Sequence, residues 1–165
     1  MLSKMRVKLI IIYILCLGIV LNLTSQCTNI SLYTQSDVDN FSVNYPSCSN
    51  PSGNIYIDGT NINNLNGLSA LNTIGGYFII TNTSLVNLSG LNNVISIGEY
   101  FTVFNNNSLI NFSGIDNLHD VGGLVDIRFN PILVNLNGLN SLATVGLGGA
   151  PSESYLWIHN NQLLL

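Results

Sequence analysis

Apolar residues recur at every third position through most of the chain. Ile62, Leu65, Leu68, Leu71 and Ile74 are followed by Leu85, Leu88, Leu91, Val94 and Ile97, and then by Leu109, Phe112, Ile115, Leu118 and Val121. A fourth set is Leu133, Leu136, Leu139, Leu142 and Val145. An α-helix turns about 100° per residue, so five positions spaced by three spread around most of its circumference and share no face. Short extended pieces joined by tight turns, or a brief 3₁₀ stretch, keep every third residue on one side. The pattern argues against a helical repeat.

A second rhythm lies between these sets. Asn54-Ile55-Tyr56-Ile57, Tyr77-Phe78-Ile79-Ile80, Phe101-Thr102-Val103-Phe104, Val125-Asp126-Ile127-Arg128 and Tyr155-Leu156-Trp157-Ile158 are β-branched and aromatic runs that read as strands. Gly53, Gly76 and Gly123 precede three of them, where a sharp corner is needed. Each repeat also contains Asn, apolar, any residue, Gly, apolar, as in Asn87-Leu88-Ser89-Gly90-Leu91, and Gly67, Gly90, Gly114 and Gly138 fall 23, 24 and 24 residues apart. That period belongs to a solenoid. The expected fold is all-β: a parallel β-solenoid of about five coils of 23–24 residues over 53–165, its strands stacked about 4.8 Å apart.

Asparagine forms two columns, Asn64, Asn87, Asn111, Asn135 and, past the strands, Asn82, Asn106, Asn130, Asn160. Asparagine tolerates left-handed backbone, bonds its own turn, and ladders with identical amides in neighbouring coils. Coil geometry accounts for these columns, so the Asn-x-Ser sequons at Asn87 and Asn111 are read as coincidental. The interval from Asn130 to Asn160 is 30 residues, which makes Gly148–Glu153 an inserted surface loop. Leu163 matches the first period-three position of a fifth, incomplete coil, and further domains beyond Leu165 are an open expectation.

The first residues follow another logic. Lys4, Arg6 and Lys8 precede an apolar run from Leu9 to Leu21, and Asn22-Leu23-Thr24-Ser25-Gln26 follows. This is the order of a secretory signal peptide over 1–25, cleaved after Ser25. A retained anchor is disfavoured because a span needs about 20 apolar residues. Lipidation at Cys27 is disfavoured by the bulk of Gln26 before it. The reading is a secreted or cell-surface protein with no membrane insertion after cleavage.

Cleavage changes the charge balance. One cation, Arg128, faces eight carboxylates, a net charge of −7. Nucleic acid and anionic membranes are held by clusters of Lys and Arg, so both are excluded as partners. Cys27 and Cys48 remain, and an even pair in an exported chain predicts a disulfide worth roughly 3 kcal/mol in the chain-entropy model. A two-cysteine metal site is the weaker option, since His119 and His159 lie far away in sequence. Residues 26–52 then form an N-terminal cap covering the open end of the first coil. Ser36 or Asp37 is expected to cap a short helix that packs Val38 and Phe41 inward.

Ile74-Gly75-Gly76-Tyr77-Phe78-Ile79-Ile80-Thr81-Asn82, with its echoes at Ile97-Gly98-Glu99-Tyr100-Phe101 and Val121-Gly122-Gly123-Leu124-Val125, resembles the receptor L domain family and the secreted leucine-rich-repeat-like proteins akin to it. The resemblance covers about residues 27–165. It implies a right-handed β-helix, a disulfide-bonded cap like Cys27 to Cys48, and an extracellular, non-enzymatic binding module without cofactors. No kinase, cysteine-rich region or transmembrane helix accompanies it in this sequence, so receptor function is not carried over.

Alternation along the strands sorts residues into two faces. Counted coil by coil, Tyr56, Ile79, Val103, Ile127 and Trp157, with Tyr77, Phe101, Val125 and Tyr155 beside them, are uniformly apolar and expected inside. The other face carries Phe78, Thr102 and Asp126, and then Ile57, Ile80, Phe104, Arg128 and Ile158. Phe78, Ile80 and Phe104 form an expected exposed patch beside the cation. The candidate ligand-binding set is Phe78, Ile80, Thr102, Phe104, Asp126, Arg128 and Ile158, facing an extracellular protein or glycan. Burial of that patch under other segments is the competing reading.

No catalytic residue and no metal site is expected. His119 beside Asp120 reads as a solvated turn, the carboxylates fall about one per coil rather than in the pair a glycosidase needs, and no phosphate loop or zinc motif occurs. A β-helix carbohydrate-active enzyme and a purely structural spacer are the alternatives.

Overall fold

The computed structural model describes residues 27–146 and 156–165. The expected signal peptide, the inserted loop Gly148–Glu153, and Tyr155 lie outside the described residues. What is described is mostly strand in two parallel sheets, with few helices.

The chain enters through β1 (Ile30–Leu32), α1 (Gln35–Asp39) and α2 (Phe41–Asn44). The repeats follow with β2 (Ile55–Asp58), a 3₁₀ turn (Asn66–Leu68), β3 (Thr73–Ile74), β4 (Phe78–Thr81), β5 (Ser96–Ile97) and β6 (Phe101–Phe104). β7 (Asp120–Val121), β8 (Val125–Arg128), β9 (Thr144–Val145) and β10 (Leu156–His159) complete it. One sheet has six parallel strands in the order β1-β2-β4-β6-β8-β10, and the other four in the order β3-β5-β7-β9. Each repeat therefore places one long strand and one short strand beside those of its predecessor. The long strands stand within about a residue of the expected runs. The short ones belong to the end of the period-three stretch, where pattern alone gave no strand.

Ile62 to Ile74, Leu85 to Ile97 and Leu109 to Val121 bury all fifteen of their period-three side chains to 1% exposure or less. Burying such a side chain contributes roughly 1.5–3 kcal/mol, which makes this column the main driving force of folding. Phe78 and Phe101 stack at 5.8 Å between neighbouring repeats, and Phe112 meets Phe101 edge-on at 6.4 Å. In the fourth set Leu133 is still fully buried, whereas Leu136, Leu139, Leu142 and Val145 are only partly covered.

The turns explain the Asn-x-x-Gly unit. The side-chain oxygens of Asn64, Asn87, Asn111 and Asn135 accept the N–H two residues ahead at 3.1, 3.0, 3.0 and 3.0 Å. The glycine that follows has φ of +114°, +105° and +108° at Gly90, Gly114 and Gly138. A Cβ at Gly114 would lie 2.3 Å from the backbone nitrogen of Ser89, one repeat earlier.

The cap holds as expected in outline. Cys27 and Cys48 are bonded, with Cα atoms 5.7 Å apart, and Val38 and Phe41 are buried against the core. The helix cap differs: it is Thr34, not Ser36 or Asp37. Asp37 is instead the third helical residue of a capping box, accepting the N–H of Tyr33 at 2.9 Å and of Thr34 at 2.8 Å, while Thr34 Oγ1 accepts its N–H at 3.2 Å.

Face assignment in the long strands is where the structure overturns the pattern. Pairing aligns Tyr56, Ile79, Thr102, Asp126 and Trp157 in one row, and Ile57, Ile80, Val103, Ile127 and Ile158 in the next. The second row points inward, and so do Phe78, Phe101 and Val125. Phe78 and Ile80 are fully buried. Tyr56, Ile79 and Trp157 face outward, with Trp157 49% exposed. The step from β4 to β6 is 23 residues, not 24, because Leu85 follows Thr83 by two positions whereas Leu109 and Leu133 follow Asn106 and Asn130 by three. One residue of slip exchanges the faces of a strand. By the same count Leu164, not Leu163, is the fifth-repeat equivalent. Its N–H donates to Asn161 O at 3.3 Å, as Leu109 does to Asn106 and Leu133 to Asn130.

Two measurements test this account. Gly114→Ala demands both a positive φ and a sub-van-der-Waals contact, so it should lower unfolding free energy by about 2 kcal/mol or more in urea titrations. The bonds to Asp37, first that of the Thr34 side chain and then that of the Tyr33 N–H, hold its carboxyl below the ordinary value of 3.8. A depressed folded value stabilises above the ordinary one, and that gain disappears as pH falls through the folded one. The stability advantage of the wild type over Asp37→Asn should therefore be constant from about pH 5 to pH 7 and shrink below about pH 4.

Candidate functional site

The outward face of the six-stranded sheet carries the side chains left over once the alternate positions have filled the core. Along β2, β4, β6, β8 and β10 its second row is Asp58, Thr81, Phe104, Arg128 and His159. Its N-terminal part is closed on itself. Tyr33 meets Tyr56 edge-on at 6.2 Å, and Asp58 accepts the Tyr56 hydroxyl at 2.9 Å and the Asn82 amide at 3.0 Å.

The C-terminal part is different. Asp126 is only 4% exposed although it lies on the outward row. Arg128 Nε stands 3.2 Å from Asp126 Oδ2, and the guanidinium sits over the Phe104 ring at 5.2 Å. The approach is an ion pair rather than an aligned hydrogen bond. Arg128 Nε and Asp126 Oδ1 are both buried without a hydrogen-bond partner among the described residues. His159 Nε2 lies 4.0 Å from Oδ1, and its Nδ1 is 3.0 Å from the Asn160 amide nitrogen. With that amide donating, the ring proton sits on Nε2 and faces the carboxylate.

Just past the strands two columns run side by side. Asn82, Asn105, Phe129 and Asn160 have φ of +52°, +57°, +54° and +56°. The next residues, Thr83, Asn106, Asn130 and Asn161, form the amide ladder. Asn106 Oδ1 accepts the Thr83 N–H at 3.1 Å, Asn130 Oδ1 that of Asn106 at 3.0 Å, and Asn161 Oδ1 that of Asn130 at 3.0 Å. Their amide groups donate back to Ile80, Val103 and Ile127 carbonyls at 3.1, 3.0 and 2.9 Å. The pattern-based column of Asn82, Asn106, Asn130 and Asn160 thus mixes two structural roles. The left-handed column holds asparagine in three repeats and phenylalanine in the fourth. Phe129 is 46% exposed, and its ring meets His159 edge-on at 5.9 Å.

Of the expected site residues, Thr102, Phe104, Asp126 and Arg128 share the outward face. Phe78 and Ile80 belong to the core, and Ile158 points inward and is half-buried. Trp157, His159 and Phe129 were missed. Trp157 was placed inside by the register slip. Phe129 had one legible signal, an aromatic residue where the sibling repeats place asparagine.

Elsewhere, His119 Nδ1 lies 3.0 Å from Asp120, which also accepts a hydrogen bond from Thr144 of the next repeat; Thr144 first, and His119 second, hold the Asp120 carboxyl below its ordinary value. Both side chains are more than half exposed. An open hollow of about 310 Å³ is lined by Ile127, Leu136, Leu139, Leu142, Leu156 and Ile158, the partly covered interior of the last repeat. Among the described residues no group of three or more His, Cys, Asp or Glu is placed to hold a metal ion, and no helix is long and apolar enough to cross a membrane.

No protein-family model, curated protein or solved structure matches the chain.

The ladder gives a stability test. Asn130→Leu leaves the Asn106 N–H and the Val103 carbonyl buried without their partner, at roughly 1–3 kcal/mol for each such group. Urea unfolding should show a loss in that range or above, with the disulfide intact.

Proposed function

We propose that this protein is a secreted or cell-surface binding module without enzymatic activity. In this reading the repeats wind as a right-handed parallel β-solenoid of the receptor L domain kind, capped at its N-terminal end by the Cys27–Cys48 unit, and the six-stranded sheet presents its outward face to an extracellular protein or glycan. The stepwise pairing of each repeat with the next supports the solenoid. The disulfide supports an oxidising compartment.

The observation that carries the binding reading is the C-terminal part of the outward face. Phe104, Arg128, Phe129, Trp157 and His159 are all partly or largely exposed there around a buried carboxylate. A face that served only as a spacer has no need of aromatic rings in water beside a partly buried ion pair. Pockets of aromatic surface with a few fixed polar groups are the usual composition of recognition sites. The carboxylates of this face are engaged structurally, Asp58 by Tyr56 and Asn82 and Asp126 by Arg128, which favours binding over acid–base chemistry.

The test is direct binding to a panel of immobilised extracellular-matrix proteins and neutral polysaccharides. Phe104→Asp and Arg128→Glu should each weaken capture by about ten-fold or more while leaving the melting transition cooperative. Unchanged capture by both variants would sink the assignment of this face.

A further inference from the structure

The geometry points to a neutral glycan as the ligand of this face, seated on Phe129 and Trp157 and contacted by Arg128 and His159. The inference rests on the binding reading above and adds the chemistry of what is bound.

Phe129 is the residue that local structure does not explain. Its φ of +54° lies in the left-handed region, where its counterparts Asn82, Asn105 and Asn160 sit at little cost. An aromatic residue there is a conformational outlier, and outliers of this kind concentrate at functional sites. Its ring is not needed by the core: it is 46% exposed and meets only the rim of the site, at His159. On the neighbouring strand Trp157, paired with Asp126 in the sheet register, is 49% exposed. Two exposed rings at the edge of a sheet offer apolar faces to a flat partner. The C–H faces of a pyranose are such a partner, and its rim of hydroxyls both donates and accepts.

The polar groups on hand suit that rim. Arg128 is one-third exposed, His159 somewhat more, and Asn160 is exposed. Charge decides against acidic ligands. Asp126 neutralises Arg128 locally, and from Cys27 onward the chain holds eight carboxylates against this one cation. An acidic saccharide would be repelled over the whole surface and gain no free cation at the site. Size decides against a protein. The cluster spans β6, β8 and β10, about 10 Å of sheet, which accommodates one or two sugar rings and falls far short of the roughly 800 Å² that each partner of a stable protein complex covers.

Trp157 is the sole tryptophan, so its fluorescence reports on this place alone. The protein expressed from its full sequence is titrated with neutral gluco-, galacto-, manno- and xylo-oligosaccharides, and with uronic-acid oligosaccharides as a contrast. At least one neutral series should give a saturable change that is the same at ~0.05 and ~0.5 M salt. Phe129→Asn, which restores the residue of the sibling repeats, should bind about ten-fold more weakly and melt at the same temperature or higher. Silence from every neutral series, a response that Phe129→Asn retains, or one confined to acidic saccharides and abolished by salt would each overturn the glycan assignment. If those outcomes came with capture of a matrix protein that Phe104→Asp and Arg128→Glu still abolish, the face would remain a binding surface with a different ligand.

Discussion

The close approach of backbones at one column of glycines governs the rest of the structure. A Cβ at Gly90, Gly114 or Gly138 would stand 2.2, 2.3 or 2.0 Å from the main chain of the preceding repeat. At Gly67 it would stand 1.9 Å from Val38 O, which belongs to the cap helix. The cap thus presents to the first repeat the surface that each repeat presents to the next. Across the core from this column, the hydrogen-bonded ladder of long strands sets the same spacing independently. With both sides pinned, apolar residues at every third position can fill the interior in register, and the Phe78–Phe101 contact is one product of that alignment.

Pinning both sides leaves one segment free to vary, the leg from strand to glycine. Phe78 precedes Gly90 by twelve residues, and Phe101 precedes Gly114 by thirteen. The extra residue enters directly after the ladder position, where Thr83 gives way to Asn106. Asparagine there allows a turn closed by the N–H of the residue three ahead, as at Leu109 and Leu133. The additional length is absorbed in a loop without disturbing the columns on either side.

This explains which parts of the structure were legible in the sequence. The period-three positions restart from their own glycine in every repeat, so no miscount accumulates, and all fifteen in the first three sets are buried as their spacing implies. The turn asparagines were legible for the same reason, being tied to that glycine at fixed distance. The strand faces were not, because assigning them required counting across the leg that changes length. A period of two punishes an error of one completely, so Phe78 and Ile80 were exchanged with Ile79 and Trp157 while Thr102, Phe104, Asp126 and Arg128 came out on the correct side. Hydropathy gave no warning, since Ile79 and Trp157 are as apolar as the residues that fill the core. The short strands of the second sheet were hidden for another reason: two residues are too few to show alternation.

Inside and outside obey different rules in such an arrangement, and the contrast bears on function. Inward positions repeat because each must match the one above and below. Outward positions have no such obligation, and those near the N-terminal end are spent on mutual contacts among Tyr33, Tyr56, Asp58 and Asn82. Toward β8 and β10 the outward residues stop serving the repeat. Asp126 is buried where its counterparts Ile79 and Thr102 are half-exposed, Arg128 is the cation of a chain otherwise nearly devoid of them, and Phe129 occupies a backbone conformation that asparagine holds elsewhere. Three departures from the repeat on consecutive or alternate residues of one strand end are not needed by packing, hydrogen bonding or turn geometry. A left-handed phenylalanine costs stability on the order of 1 kcal/mol or more, and the adjoining repeats show that asparagine meets the same geometry without it. The residue is therefore accounted for by what its ring meets in solvent rather than by what its backbone does for the fold.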